Sequence, residues 1–198
     1  GKIAILGGLQ GEGKSYIALD IALTILDGGV LPDGTKAEKS NVAILGFEDD
    51  LKSTQKGRAL SLGHTGKGLL TLDWSKMKTS LVASDPLVLR KLEQIIREND
   101  LKLMVFDTFS SMMSGVNDSK STQVRPILLD LAKISEETGC CFLFLMHMSK
   151  RTEMTSQIHQ LAGSFEYSAV ARAMHFIAPQ KDEDGDETDT KVFFNVKN

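Results

Sequence analysis

At 198 residues, with a formal net charge of −3, 41% hydrophobic and 25% charged residues, the chain is long enough for one domain with a sizeable core and lacks a disordered composition. The charge excludes a uniformly basic nucleic-acid-binding surface, and no run of about 18 apolar residues suggests a membrane-spanning helix. The two cysteines, adjacent at Cys140 and Cys141, cannot build a disulfide framework, which predicts a reducing cytoplasm.

The chain opens on Gly1 rather than Met and runs directly into an apolar stretch, Lys2–Leu6, without the flanks of a signal peptide. It therefore reads as one domain, 1–198, cut from a longer chain. Ser15–Leu26 places Ile17, Ala18, Ile21, Ala22, Ile25 and Leu26 at helical spacing. A long loop, Gly28–Ser40, leads to a second strand, Asn41–Phe47, and a third short run follows at Leu69–Leu72. Asp85 and Pro86 are a cap and first-turn pair for a helix through Leu89, Leu92, Ile95 and Ile96. Leu101–Phe106 is a strand, Phe109–Gln123 a loop rich in Ser and Met, and Val124–Thr138 a helix stopped by Gly139. Cys140–Met146 is the next strand, with its two cysteines on opposite faces and so structural rather than redox-active.

Ala173–Ile177 and Val192–Val196 close the chain, joined by an acidic segment around Asp184-Gly185 that reads as a hairpin. Residues 181–191 hold six acids and two lysines, a net of −4 that leaves +1 for the remainder. The segment lacks the glycine spacing of a calcium loop, and the four histidines lack metal-ligand spacing with the cysteines. Continuously apolar strands alternating with helices predict an α/β domain. Its twisted sheet is mostly parallel, flanked by helices, with an antiparallel hairpin at the C-terminal end.

Gly8-Leu9-Gln10-Gly11-Glu12-Gly13-Lys14-Ser15 fits G-x-x-x-x-G-K-[ST], between a strand and a helix, with Tyr16 next. Chance alone would produce such a match in roughly one chain per hundred of this size. Its glycines let backbone amides wrap a phosphate at a helix N-terminus. Lys14 would contact the β- and γ-phosphates of ATP, and Ser15 would ligate Mg²⁺. Asp107 ends an apolar strand, where a carboxylate binds Mg²⁺ through water or steadies Ser15. Glu48 follows the second strand and is placed to activate water, with Asp49 as the next candidate; equally, Glu48, Asp49 and Asp50 suit the cap of a following helix. His147, after the fifth strand, suits either a γ-phosphate sensor or a hydrogen-bonded structural histidine.

In this order the motifs resemble the RecA-like P-loop ATPase core, and more narrowly the RepA/DnaB branch of hexameric helicases and AAA_25-type relatives. The matching residues are Gly8–Ser15, Gly46-Phe47-Glu48-Asp49, Phe106-Asp107, His147 with Ser149-Lys150, Ala162-Gly163-Ser164 before Ala169–Arg172, and Val196-Lys197-Asn198. The resemblance spans nearly the whole chain. It implies a water-activating Glu48, a magnesium Asp107, a sensor His147, and Lys197 as a finger to the neighbouring subunit's nucleotide. Arg172 is a second finger candidate, or pairs with a core acid. The loops Ser110–Gln123 and Ser149–Leu161 would line a central channel of a homo-hexamer and grip single-stranded DNA. Lys120, Arg125, Lys150 and Arg151 lie in or beside them. A KaiC-like regulatory ATPase binding protein partners is the alternative, in which Met112-Met113 would be part of the surface, though the pair equally suits local packing. A kinase or GTPase is disfavoured, because neither an Asn-Lys-x-Asp element nor an arginine-rich lid is present.

Overall fold

The computed structural model describes residues 1–46, 51–73, 83, 85–113, 115–117, 120–148 and 165–197. Seven strands form one sheet: β1 (Ile3–Gly8), β2 (Asn41–Gly46), β3 (Leu70–Asp73), β4 (Leu101–Asp107), β5 (Cys141–His147), β6 (Ala173–Lys181) and β7 (Glu187–Lys197). Their spatial order is β3-β2-β4-β5-β1-β6-β7. The first six run parallel, and β7 pairs antiparallel with β6. The strand ending in Asp107 is thus separated from the strand ending in Gly8 by β5 alone.

The central strands are buried on both faces because they carry apolar residues at odd and even positions alike, whereas β7 is largely exposed. On one face Phe142, Phe144 and Met146 of β5 join Ile5 of β1 and Phe106 of β4. Leu143 and Leu145 join Leu6 and Val105 on the other. Helix α1 (Lys14–Asp27) covers the second face with Ala18, Leu19, Ala22, Leu23 and Leu26, and Ala59 of α2 (Leu51–Ser61) packs beside it. Helices α3 (Pro86–Glu98) and α4 (Ser121–Thr138) cover the first face. The start of α3 is the expected cap: Asp85 Oδ1 accepts from the Leu87 amide at 2.8 Å, with Pro86 in the first turn. Gly139 ends α4 with φ of 74°, a left-handed conformation that favours glycine.

An aromatic cluster fills the first face. Phe106 meets Phe144 edge-on with centroids 5.1 Å apart, and Phe109 stacks on Phe144 at 3.9 Å. Phe109 begins a short 3₁₀ helix, Phe109–Met113, in place of the start of the expected loop. Met112 and Met113 are 0% and 3% exposed and belong to this core, so of their two readings, partner surface or local packing, the structure shows the packing. Methionine fills the irregular space under the turn, so composition resembled a loop while the packing is that of a core. The loop is shorter at its other end too, because α4 starts at Ser121.

Helix α5 (Glu166–Val170) buries Tyr167 against Phe109, with centroids 6.2 Å apart. The hairpin is longer than its apolar runs, because β6 and β7 continue pairing to Lys181 and Glu187 through polar residues. At its tip Asp182 Oδ1 accepts from the amides of Asp184 (3.1 Å) and Asp186 (2.9 Å), and Gly185 takes φ of 90°. Among the described residues no helix is long and apolar enough to cross a membrane.

Candidate functional site

The carboxyl ends of the parallel strands meet at one edge of the sheet, where α/β folds bind ligands. Gly8 is in register with His147, and Gly46 with Asp107. The loop between β1 and α1 needs its glycines for distinct reasons. Gly11 and Gly13 take φ of 87° and 85°, which side chains disfavour. Gly8 has ordinary φ, but a Cβ there would lie 2.8 Å from the Ile177 carbonyl oxygen of β6. Gly13 caps α1 from a left-handed conformation and has no side chain of its own to bond the helix N-terminus. The first-turn amides and the helix dipole are therefore available to an anion.

Lys14 is 5% exposed, and its Nζ donates to the carbonyl oxygens of Gly8 (2.9 Å) and Leu9 (2.6 Å). Burial draws its pKa below the usual range, opposed by the nearby charges of Asp107 and then Glu12. His147 sits across from the loop. Its Nδ1 is buried without a hydrogen-bond partner among the described residues, and its pKa is lowered by burial and then by Lys14, against a raising effect of Asp107. The lowering favours the neutral imidazole, whose Nδ1, unpaired among the described residues, can accept or donate a hydrogen bond according to its tautomer.

A cavity of about 340 Å³ lies here, bounded by Gln10, Gly11 and Gly13 of the loop and by Lys14, Ser15 and Tyr16 of α1. Asp107, Thr108 and His147 close its far wall, with Arg58 of α2 beside them. Arg58 was not expected from sequence, since a lone arginine in a helix has no motif spacing. It is placed by tertiary contacts. Its guanidinium lies 5.3 Å from the Tyr16 ring centroid, and His64 beyond α2 pairs with Asp27 (2.9 Å) and Asp20 (3.5 Å) of α1. A second cavity of about 330 Å³, between α2 and β3, shares no lining residue with this one.

Other expected residues are spread more widely. Glu48, Asp49 and Asp50 lie outside the described residues, two to four positions beyond Gly46, the β2 partner of Asp107. Lys150, Arg151, Gly163, Ser164 and the whole of the 149–161 loop also lie outside them. Lys120 is exposed at the start of α4. Arg125 pairs with Glu166 at 2.7 Å and joins α4 to α5. The Lys197 ammonium donates to the carbonyls of Ser168 (2.7 Å) and Ala171 (2.8 Å), so within this chain it fastens β7 to the end of α5. Arg172 is exposed and has no ion-pair partner among the described residues, and its amide donates to the Ile3 carbonyl at 2.8 Å.

A mostly parallel sheet with a glycine-rich loop, a buried lysine and an acid-tipped strand two positions away defines a P-loop nucleoside-triphosphatase domain. The AAA_25 family, described as an AAA domain, matches residues 1–153, and the chain belongs to that family. Membership makes it a P-loop ATPase domain. A search of curated proteins found no match.

Proposed function

We propose that this chain is the Mg²⁺-dependent ATPase motor of a replicative, plasmid-type or phage-type helicase of the RepA/DnaB branch, acting on single-stranded DNA as a homo-hexamer. The observation that carries the ATPase part is the convergence of Lys14, Ser15, Asp107 and His147 on one cavity at the strand ends. The residues present fit a magnesium nucleotide. The space beside Gly11 and Gly13 is open at the start of α1, and Lys14 rests on two carbonyls that a phosphate would replace.

In this reading Gly8, Leu9, Gln10, Gly11, Glu12 and Gly13 form the loop around the phosphates, and Tyr16 flanks it. Lys14 exchanges its carbonyl partners for β- and γ-phosphate oxygens and stabilises charge there as the bond breaks. Ser15 and Asp107 would hold Mg²⁺, which would supply positive charge to neutralise the phosphates. Glu48 orients and deprotonates the attacking water. His147, neutral and unpaired, accepts a hydrogen bond from that water or donates one to the γ-phosphate, according to its tautomer. Lys197 and Arg172 are the candidates for reaching a neighbour's nucleotide. For Lys197 this requires release from Ser168 and Ala171.

The DNA part rests on motif order and on the exposed Lys120 near the channel-side segment. Six copies around one channel multiply a few cations into a usable phosphate track, so a net charge of −3 is no obstacle. The regulatory alternative loses its one sequence support, since Met112 and Met113 are buried. The test is ATP turnover and oligomeric state with and without single-stranded DNA. DNA-stimulated turnover by a ring is expected. An assembled protein that neither binds single-stranded DNA nor responds to it would overturn the helicase reading.

A further inference from the structure

The phosphate loop contains an acid, Glu12, two positions before the lysine that would bind phosphate. Its side chain is 13% exposed, and its Oε2 is closed off from solvent. A carboxylate so placed opposes a triphosphate, because like charges in a partly buried site repel strongly and water screens them little. The structure supplies a counter-charge from the far end of the chain. Lys191 of β7 brings its Nζ to 2.7 Å from Glu12 Oε2, at an angle that makes the contact an ion pair rather than a hydrogen bond. Lys191 sits opposite Pro179 of β6, in a hairpin whose other charges between 181 and 191 are one lysine and six acids. The strand β6 itself lies against β1, close enough for the Ile177 carbonyl to demand glycine at position 8.

We propose that Lys191 is a positioning residue of the nucleotide site: it neutralises Glu12 and straps the β6–β7 hairpin to the phosphate loop, so that the loop accepts a triphosphate. This rests on the ATPase reading above. Without Lys191, Glu12 stays in the loop as an unpaired charge, and one of the two hairpin lysines is lost. The penalty scales with ligand charge, which separates an electrostatic role from a merely structural one. The pair also couples the loop to where β7 sits, beside the backbone pairing of Gly8 with Ile177 of β6.

The test is equilibrium binding of fluorescent ATP and ADP analogues, with Mg²⁺, to the full chain and its variants K191M, E12Q and E12Q/K191M. K191M is expected to weaken ATP binding about tenfold and ADP binding about threefold. E12Q is expected to bind ATP at least as tightly as wild type, and E12Q/K191M to return within about twofold of wild type, because removing both charges leaves nothing unpaired. K191R, which keeps the charge, should bind like wild type. If K191M proves poorly folded by circular dichroism, E12Q and the double variant carry the test. Wild-type binding with K191M unchanged, a double variant as weak as K191M, or E12Q weaker than wild type would overturn the inference. A wild-type chain that bound neither nucleotide would overturn the ATPase reading and this inference with it.

Discussion

The two ends of the parallel strands are built from the same apolar runs yet differ in how they treat polar groups. At the amino ends, polar groups are paired within the chain. Ser135 Oγ donates to the Cys140 carbonyl at 2.7 Å, the Asn41 amide side chain to the Asn99 carbonyl at 2.9 Å, and the Arg172 amide to the Ile3 carbonyl at 2.8 Å. At the carboxyl ends, the groups are poised rather than finished. Lys14 leans on two carbonyls that have other uses, His147 Nδ1 is unpaired among the described residues, and Glu12 depends on a lysine from β7. Buried polar groups are ordinarily satisfied, so the end where they are not is the end that waits for a ligand.

Substitutions can break that contrast. The largest effect is expected at Glu48. Glu48→Gln should keep ATP binding and lose turnover by about 10³-fold, read as steady-state phosphate release beside nucleotide binding. An unchanged rate would move the base to Asp49. Next comes the shared core. Phe144→Ala empties the centre of the aromatic cluster and should cost about 3–5 kcal/mol in urea unfolding.

A smaller effect is expected from pH. Burial holds His147 and His175 below the ordinary value of 6.5 in the folded state. The unfolded chain therefore binds protons first as pH falls, so stability is lost below about 6.5 and levels off beneath the folded pKa values. Thermal melts between pH 7.5 and 5.5 check the sign. His147→Asn should flatten part of the slope, and a steeper slope would contradict the assignment. The smallest effect concerns the amino ends. The Cys140 thiol is pushed up to about 12, chiefly by burial, so native protein at pH 8 should resist a thiol reagent there and react after unfolding.

How far the sequence could be read follows the same division. The place of the phosphate loop was legible because its residues are local: glycines, lysine and serine lie within eight consecutive positions, between a strand and a helix. Asp107 and His147 were legible because each ends a strand, and parallel strands deliver their ends to one edge. Arg58 and Lys191 were not, because each reaches the site from a distant element, and no spacing in the chain records a tertiary pair. The segment after Asp107 was misjudged for a different reason. Serine and methionine resemble loop composition, yet Phe109, Met112 and Met113 turn back under β5 and pack. Hairpin length was underestimated because backbone pairing continued past the apolar residues.

The most direct test of the account is Mg²⁺-dependent ATP turnover by the wild-type chain and by Lys14→Ala, with binding of an ATP analogue measured on the same samples. The account predicts wild-type hydrolysis that falls at least about 100-fold in Lys14→Ala, with weakened binding by a chain that remains folded by circular dichroism. Turnover in Lys14→Ala equal to that of wild type would contradict it.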